Sequence, residues 1–209
     1  MAQSRHYAVR AAEQYLEGGN HLAAAEQYLH AAKVWLDNAR VPEIVTRELE
    51  QARDLAIKLE VPTLHVHVLL TEAWAAFATL RDNDAERLLE QAQELLPRIT
   101  DESQRVDLLQ KLALQHAIFA MVWEEWDTAR EVLDAALAAC PKAARDERLD
   151  LLQSLLLVST ERGDWETANR VYREAQQLLE TAAEPRRQGL LAMHYGASLA
   201  RRGALKEAY

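Results

Sequence analysis

Gly19-Asn20-His21-Leu22-Ala23-Ala24-Ala25-Glu26-Gln27-Tyr28 and Gly163-Asp164-Trp165-Glu166-Thr167-Ala168-Asn169-Arg170-Val171-Tyr172 align without a gap, and each runs on to an alanine three residues later, at Ala31 and Ala175. The shared frame is an alanine, a bulky side chain four residues on, and a second alanine three further. It recurs as Ala85/Leu89/Ala92 and Ala129/Leu133/Ala136, and begins again at Ala208. On a helix with about 3.6 residues per turn these three positions share one face. Two small residues there let a neighbouring helix approach, and the larger one fills the space between the two.

The frame repeats at a near-constant period. From Ala85 to Ala129, Ala168 and Ala208 the steps are 44, 39 and 40 residues, enough for two helices of about five turns each. Each unit therefore reads as a helical hairpin. Pro42, Pro62, Pro97, Pro141 and Pro185 stand where helices should begin or end and never inside a periodic segment, as a residue without a backbone N–H requires. The pattern predicts helices near 3–17, 21–39, 43–60, 63–80, 83–96, 102–124, 127–140, 144–162, 165–182 and 186–202, with an eleventh starting at 204. Two helices, 43–60 and 63–80, separate the first frame from the second, so the array is irregular at about 40–62. The expectation is a single all-α repeat domain over 1–209.

Composition and charge narrow the function. Of 209 residues, 33 are acidic and 24 basic, for a net charge of −9. No run of Lys and Arg forms the concentrated positive face that phosphate backbones need, which argues against direct nucleic-acid binding. Cys140 is the only cysteine, so no internal disulfide can form. Residues 1–10 lack the apolar segment of a secretory signal, and the longest apolar stretch, Leu112–Trp123, is broken by Gln115 and His116. Neither reads as a membrane span, and the default expectation is a cytoplasmic protein.

These residues resemble the tetratricopeptide repeat family, whose second helix follows a Gly-Asp-aromatic turn and carries the alanine, the aromatic and the second alanine quoted above. Pro97 and Pro141 follow the second alanine by five residues, and Ala12/Tyr15 and Gly196/Leu199 give the weaker small-then-bulky pattern of a first helix. Departures are Leu156 where the family prefers a small residue, His116 in place of a leucine, and a turn near Arg81 without glycine. The resemblance implies a right-handed superhelical solenoid of antiparallel helix pairs. Repeats of about forty residues resemble the long variants in MalT-like and other large LuxR-type transcription regulators, in Rap-type peptide receptors and in kinesin light chains. The last unit breaks off just inside its second helix, at 204–209, whereas a solenoid normally ends in a polar cap. The expectation is a segment of a larger regulatory protein.

In tetratricopeptide arrays the first helix of each pair lines a concave groove. Carried onto this sequence, the resemblance places there Leu70, Trp74 and Phe77, then Leu114, Ile118, Met121 and Val122, then Gln153 and Leu157, then Met193. Such an apolar stripe suits a peptide, an amphipathic helix or another domain of the same chain. A homo-oligomeric contact and an inducer-binding pocket are the alternatives. Trp74 is the aromatic best suited to touch a ligand, whereas Trp126 and Trp165 precede second helices and read as wedges in the hairpin turns. Some members of the family grip a carboxylate terminus with a ring of basic residues. Here only Lys111 and Arg201 fall near the groove, too few for that role.

Catalytic and metal chemistry find little footing. His65 and His67 are two apart on a helix and so point in different directions, and no histidine pair has the four-residue spacing of a helical metal site. His116 and His194 read as buried or groove-lining imidazoles. Glu124-Glu125 and Asp101-Glu102 flank helix ends, where unsatisfied amides already favour carboxylates. The expectation is a binding protein with no catalytic residues, metal or cofactor.

Overall fold

The alanines of the repeated frame are enclosed by their neighbours. In the computed structural model, which describes residues 2–39, 42–180 and 185–203, Ala24, Ala31, Ala85, Ala92, Ala129, Ala168 and Ala175 are at most 1% exposed, and Ala136 is 4% exposed. Tyr28, Leu89 and Leu133, the bulky members, are buried beside them. Tyr172 is half-buried and stacks on Tyr195 with ring centroids 3.8 Å apart. The Tyr195 hydroxyl donates to Asn169 Oδ1 at 2.7 Å, which fixes α10 against α9, the helices that carry the two tyrosines.

Among the described residues the chain is all-helical. Ten α-helices follow in order: α1 (Ala2–Glu17), α2 (His21–Ala39), α3 (Thr46–Lys58), α4 (Pro62–Ala78), α5 (Asp82–Leu95), α6 (Glu102–Val122), α7 (Trp126–Ala139), α8 (Arg145–Glu161), α9 (Trp165–Glu180) and α10 (Pro185–Arg201). Short 3-10 turns occupy Pro42–Val45 and Leu96–Arg98. The expected spans lie within a few residues of these. The largest difference is the segment 43–60, which opens as the 3-10 turn rather than as helix. There the Ile44 carbonyl accepts a hydrogen bond from Arg5 at 3.0 Å, and Val45 is fully buried. The eleventh helix expected from 204, and the frame at Ala208, lie outside the described residues. No described helix is long and apolar enough to cross a membrane.

Two compact units divide the chain, 1–112 and 113–209, the division falling within α6. In the first, α1 packs against α2 and α4 against α5, while α3 lies against both α2 and α4. Its core joins Tyr28, Leu29 and Leu36 of α2 to Leu49 and Ala52 of α3 and to Leu64 and Val68 of α4. The irregular helix α3 is thus a full member of that core. Arg5 also ties it to α1 through an ion pair with Glu48, which is 5% exposed. In the second unit α8 packs against α7, α9 and α10, and Leu149, Leu152, Leu155, Leu156 and Val158 are completely buried. Leu156, the bulky departure from the family pattern, fills this core. Arg148 links three helices: its guanidinium donates to the Leu137 and Cys140 carbonyls at 3.1 Å each and to Glu174 Oε1 at 2.6 Å. The first two bonds satisfy carbonyls left open at the end of α7.

One kind of helix ending recurs after six of the ten described helices. The residue after each of α1, α3, α4, α6, α8 and α10 that closes the turn has positive φ: Gly19, Glu60, Leu80, Glu124, Gly163 and Gly203. Behind it the next amide bonds back to the fifth residue before it, as in Asn20 N–H to Tyr15 O at 2.8 Å, Val61 to Ala56 at 3.2 Å, Arg81 to Ala76 at 3.0 Å, Glu125 to Ala120 at 2.8 Å and Asp164 to Ser159 at 2.9 Å. This is the Schellman arrangement, which satisfies the last carbonyls of the helix. Asn20 and Asp164 then cap the following helices, their Oδ1 atoms accepting the amides of Ala23 at 3.2 Å and Thr167 at 3.1 Å. Arg130 reaches the same Asp164 at 2.7 Å.

At Glu60, Leu80 and Glu124 a side chain occupies a conformation suited to glycine. A left-handed Cβ costs roughly 1–2 kcal/mol, and glycine loses roughly 0.5–1 kcal/mol through its freer unfolded chain. Leu80 is 86% exposed, so little packing is at stake. Leu80→Gly is expected to stabilise the protein by about 0.5–1 kcal/mol in chemical denaturation. Gly19→Ala, where an added Cβ meets no neighbouring atom within 4 Å, should destabilise it by a similar amount.

Candidate binding surface

The left-handed residue supplies a register for comparing successive hairpins. Six positions before it stand Trp74, Ile118, Leu157 and Ala197, counted from Leu80, Glu124, Gly163 and Gly203. All four are exposed: Trp74 36%, Ile118 40% and Leu157 38%, with Ala197 likewise at the surface. Ten positions before it stand Leu70, Leu114, Gln153 and Met193. These diverge: Leu70 is buried, Leu114 and Gln153 are half-buried, and Met193 is 60% exposed. Met121 and Phe77, three positions before, are half-buried, and Val122, two before, is 62% exposed.

Nine of the ten residues expected to line a groove therefore reach solvent in part, and Leu70 alone belongs to the core. The difference follows from α4, whose buried residues fall on consecutive positions from Val68 to Ala73. That helix is enclosed on more than one side, and Leu70 points into an enclosed side. In the first unit Trp74 and Phe77 form one patch, their ring centroids 5.7 Å apart. In the second, Ile118 and Val122 lie one turn apart on α6, with Leu157 on α8 and Met193 on α10.

The expected turn wedges are both half-buried. The Trp165 ring lies 3.6 Å from the point a Cβ on Gly163 would occupy, so it closes over the hairpin turn. Cys140 is 5% exposed, and burial pushes its thiol pKa up, against the opposing pull of Arg148. Among the described residues no group of three or more His, Cys, Asp or Glu is placed to hold a metal ion. His116 and His194 are half-buried.

Two cavities of the first unit escaped the sequence reading. One, of about 310 Å³, lies between α2 and α4 and is lined by Leu22, His30, Lys33, Leu64 and His67. The other, of about 740 Å³, lies between α3, α4 and α5 and is lined by charged groups. A signal for the second was present. Glu72 is the one carboxylate in α4, a helix that is mostly apolar, and a buried charge in such a helix needs a partner. Arg53 Nε donates to its Oε1 at 2.9 Å.

The chain matches no protein-family model and no curated protein. Its reading rests on its own residues.

His67 gives this region a pH signature. Its pKa is pushed down from 6.5 to about 4, first by burial and then by Lys33 and Lys111, with Asp107 opposing. A histidine with a depressed folded pKa contributes stability that is fully present above the unfolded pKa and is lost as pH falls. Stability should therefore drop between pH 6.5 and 4, and in His67→Gln that part of the drop should vanish when denaturation midpoints of the two proteins are compared across the window.

Proposed function

We propose that this chain is a non-catalytic interaction scaffold of tetratricopeptide type, its hairpins stacked as a right-handed solenoid, and that it holds a peptide, an amphipathic helix or a partner domain on the apolar side chains its first helices present. The observation that carries this reading is the recurrence at one register position. Trp74 on α4 of the first unit, and Ile118, Leu157 and Ala197 on α6, α8 and α10 of the second, are exposed at that position, whereas the acidic Glu13 and Asp54 hold it before Gly19 and Glu60. A single exposed apolar side chain is ordinary on any protein. The same position exposed and apolar hairpin after hairpin is what a binding surface built from repeats requires.

The family reading draws on three further features. The alanine frame is closely packed, the hairpin turns share one geometry, and within each unit helices two apart in the chain also touch, as α2 with α4 and α8 with α10. Stacking of that kind buries one hairpin against the next rather than around a single centre.

Solution scattering tests the architecture. A compact chain of 209 residues has a radius of gyration of about 17 Å, and a solenoid should exceed it by several ångströms; a value at or below it would count against stacking. The surface is tested by selecting binders from a library of helix-forming peptides on the intact chain. Ile118→Glu and Leu157→Glu should each weaken the selected peptides by about tenfold or more while the helical circular dichroism persists. Unchanged affinity in both variants would remove these side chains from the binding surface.

A further inference from the structure

The large cleft of the first unit has α3 and α5 as walls and α4 as floor, and its charges fall into two groups of opposite sign. Its volume, about 740 Å³, lies within the roughly 300–1,000 Å³ range of small-ligand sites. Toward α3 stand two carboxylates, Glu50 and Glu72, and one cation, Arg53, which pairs with Glu72. Glu72 is 7% exposed, and burial raises its pKa, with Glu50 adding to the rise and Arg53 opposing it. Glu50 is exposed and has no ion pair among the described residues. That end carries one uncompensated negative charge.

At the turn between α4 and α5 the balance is reversed. Arg81 and Arg87 share a single carboxylate, Asp84, at 3.4 and 3.3 Å. Contacts of that length between side chains 43–60% exposed are worth little, so the Arg87 guanidinium, and the terminal nitrogens of Arg81, whose Nε donates to Thr79 Oγ1 at 3.1 Å, can turn toward a better acceptor at small cost. Between the two ends, Leu49, Ala75 and Leu88 are buried in the lining and supply an apolar surface.

We propose that this cleft binds a small zwitterion of the size of a short, unblocked peptide, with its ammonium group at Glu50 and its carboxylate at Arg81 and Arg87. A ligand of one sign is poorly suited to the site. A phosphate or nucleotide would meet Asp84 and Glu50 as well as the arginines, and a polyamine would meet three guanidinium groups. A molecule charged at both ends satisfies both groups at once. The space corresponds to roughly two dozen waters at about 30 Å³ each, which accommodates a tripeptide, its methyl groups against Leu49, Ala75 and Leu88.

The test is calorimetric titration of the full chain with trialanine, N-acetyl-trialanine and trialanine amide. Trialanine should bind, and each blocked form, having lost one charged end, should bind roughly three- to tenfold more weakly. Glu50→Gln should reduce trialanine binding by a similar factor yet leave N-acetyl-trialanine unaffected, and Arg87→Gln should do the same with respect to the amide. Both residues are at the surface, and circular dichroism reports whether the variants remain folded. Trialanine that does not bind at about 10 mM, blocked forms that bind as well as the parent, or variants that weaken all three ligands equally would each overturn the proposal. Ile118→Glu should leave trialanine binding unchanged, which keeps this site separate from the apolar surface.

Discussion

A helix that ends in a residue with positive φ can turn the chain back within a few residues, and much of this protein's arrangement rests on that turn. Six helices end in a residue with positive φ, and after five of them the next amide bonds back across the turn. Because the turn sets where the next helix begins, it also sets which residues of the two helices face each other. The alanine frame then acts at a fixed distance beyond the turn, at Ala24 and Ala31 after Gly19 and at Ala168 and Ala175 after Gly163. Neither feature suffices alone. The turn without the alanines would hold the helices apart, and the alanines without the turn would have no defined partner.

Much of this was legible in the sequence because both features leave chemical traces. Gly19, Gly163 and Gly203 mark three of the turns, and the paired alanines mark the close contacts. Where glycine is absent the backbone takes the same form anyway: Leu80 and Glu124 are left-handed because the flanking helices are held by their own packing, and that cannot be read from a leucine or a glutamate. The 3-10 start of the segment before α3 was hidden for a similar reason, since it accompanies a long-range contact from Arg5. Leu70 is buried in a helix that is apolar around most of its circumference, so helical period alone does not say which side meets solvent. Trp74, four residues along, reaches the surface.

The polar groups of the interior show a division of labour between the two units. In the first, buried carboxylates hold surface arginines: Glu48 holds Arg5 and Glu72 holds Arg53. Removing either arginine would leave a buried carboxylate without its partner, which destabilises the fold. In the second, the arginine is the inner partner. Arg148, with its side chain 15% exposed, bonds to main-chain carbonyls as well as to Glu174. Its planar donors hold several acceptors in one fixed fork, a geometry that the compact, rotating ammonium of a lysine does not reproduce.

Arg148 also affects how the second unit comes apart. Stacked hairpins would ordinarily fray one at a time, each opening at its own free energy. A single guanidinium that bonds to the end of α7, sits on α8 and pairs with α9 joins the close of one hairpin to the body of the next. Opening α7 then releases two of the bonds that hold the Arg148 side chain against Glu174 of α9, so the smallest segment that can open and close independently spans more than one hairpin, and amide protons on all three helices should exchange as one cooperative group.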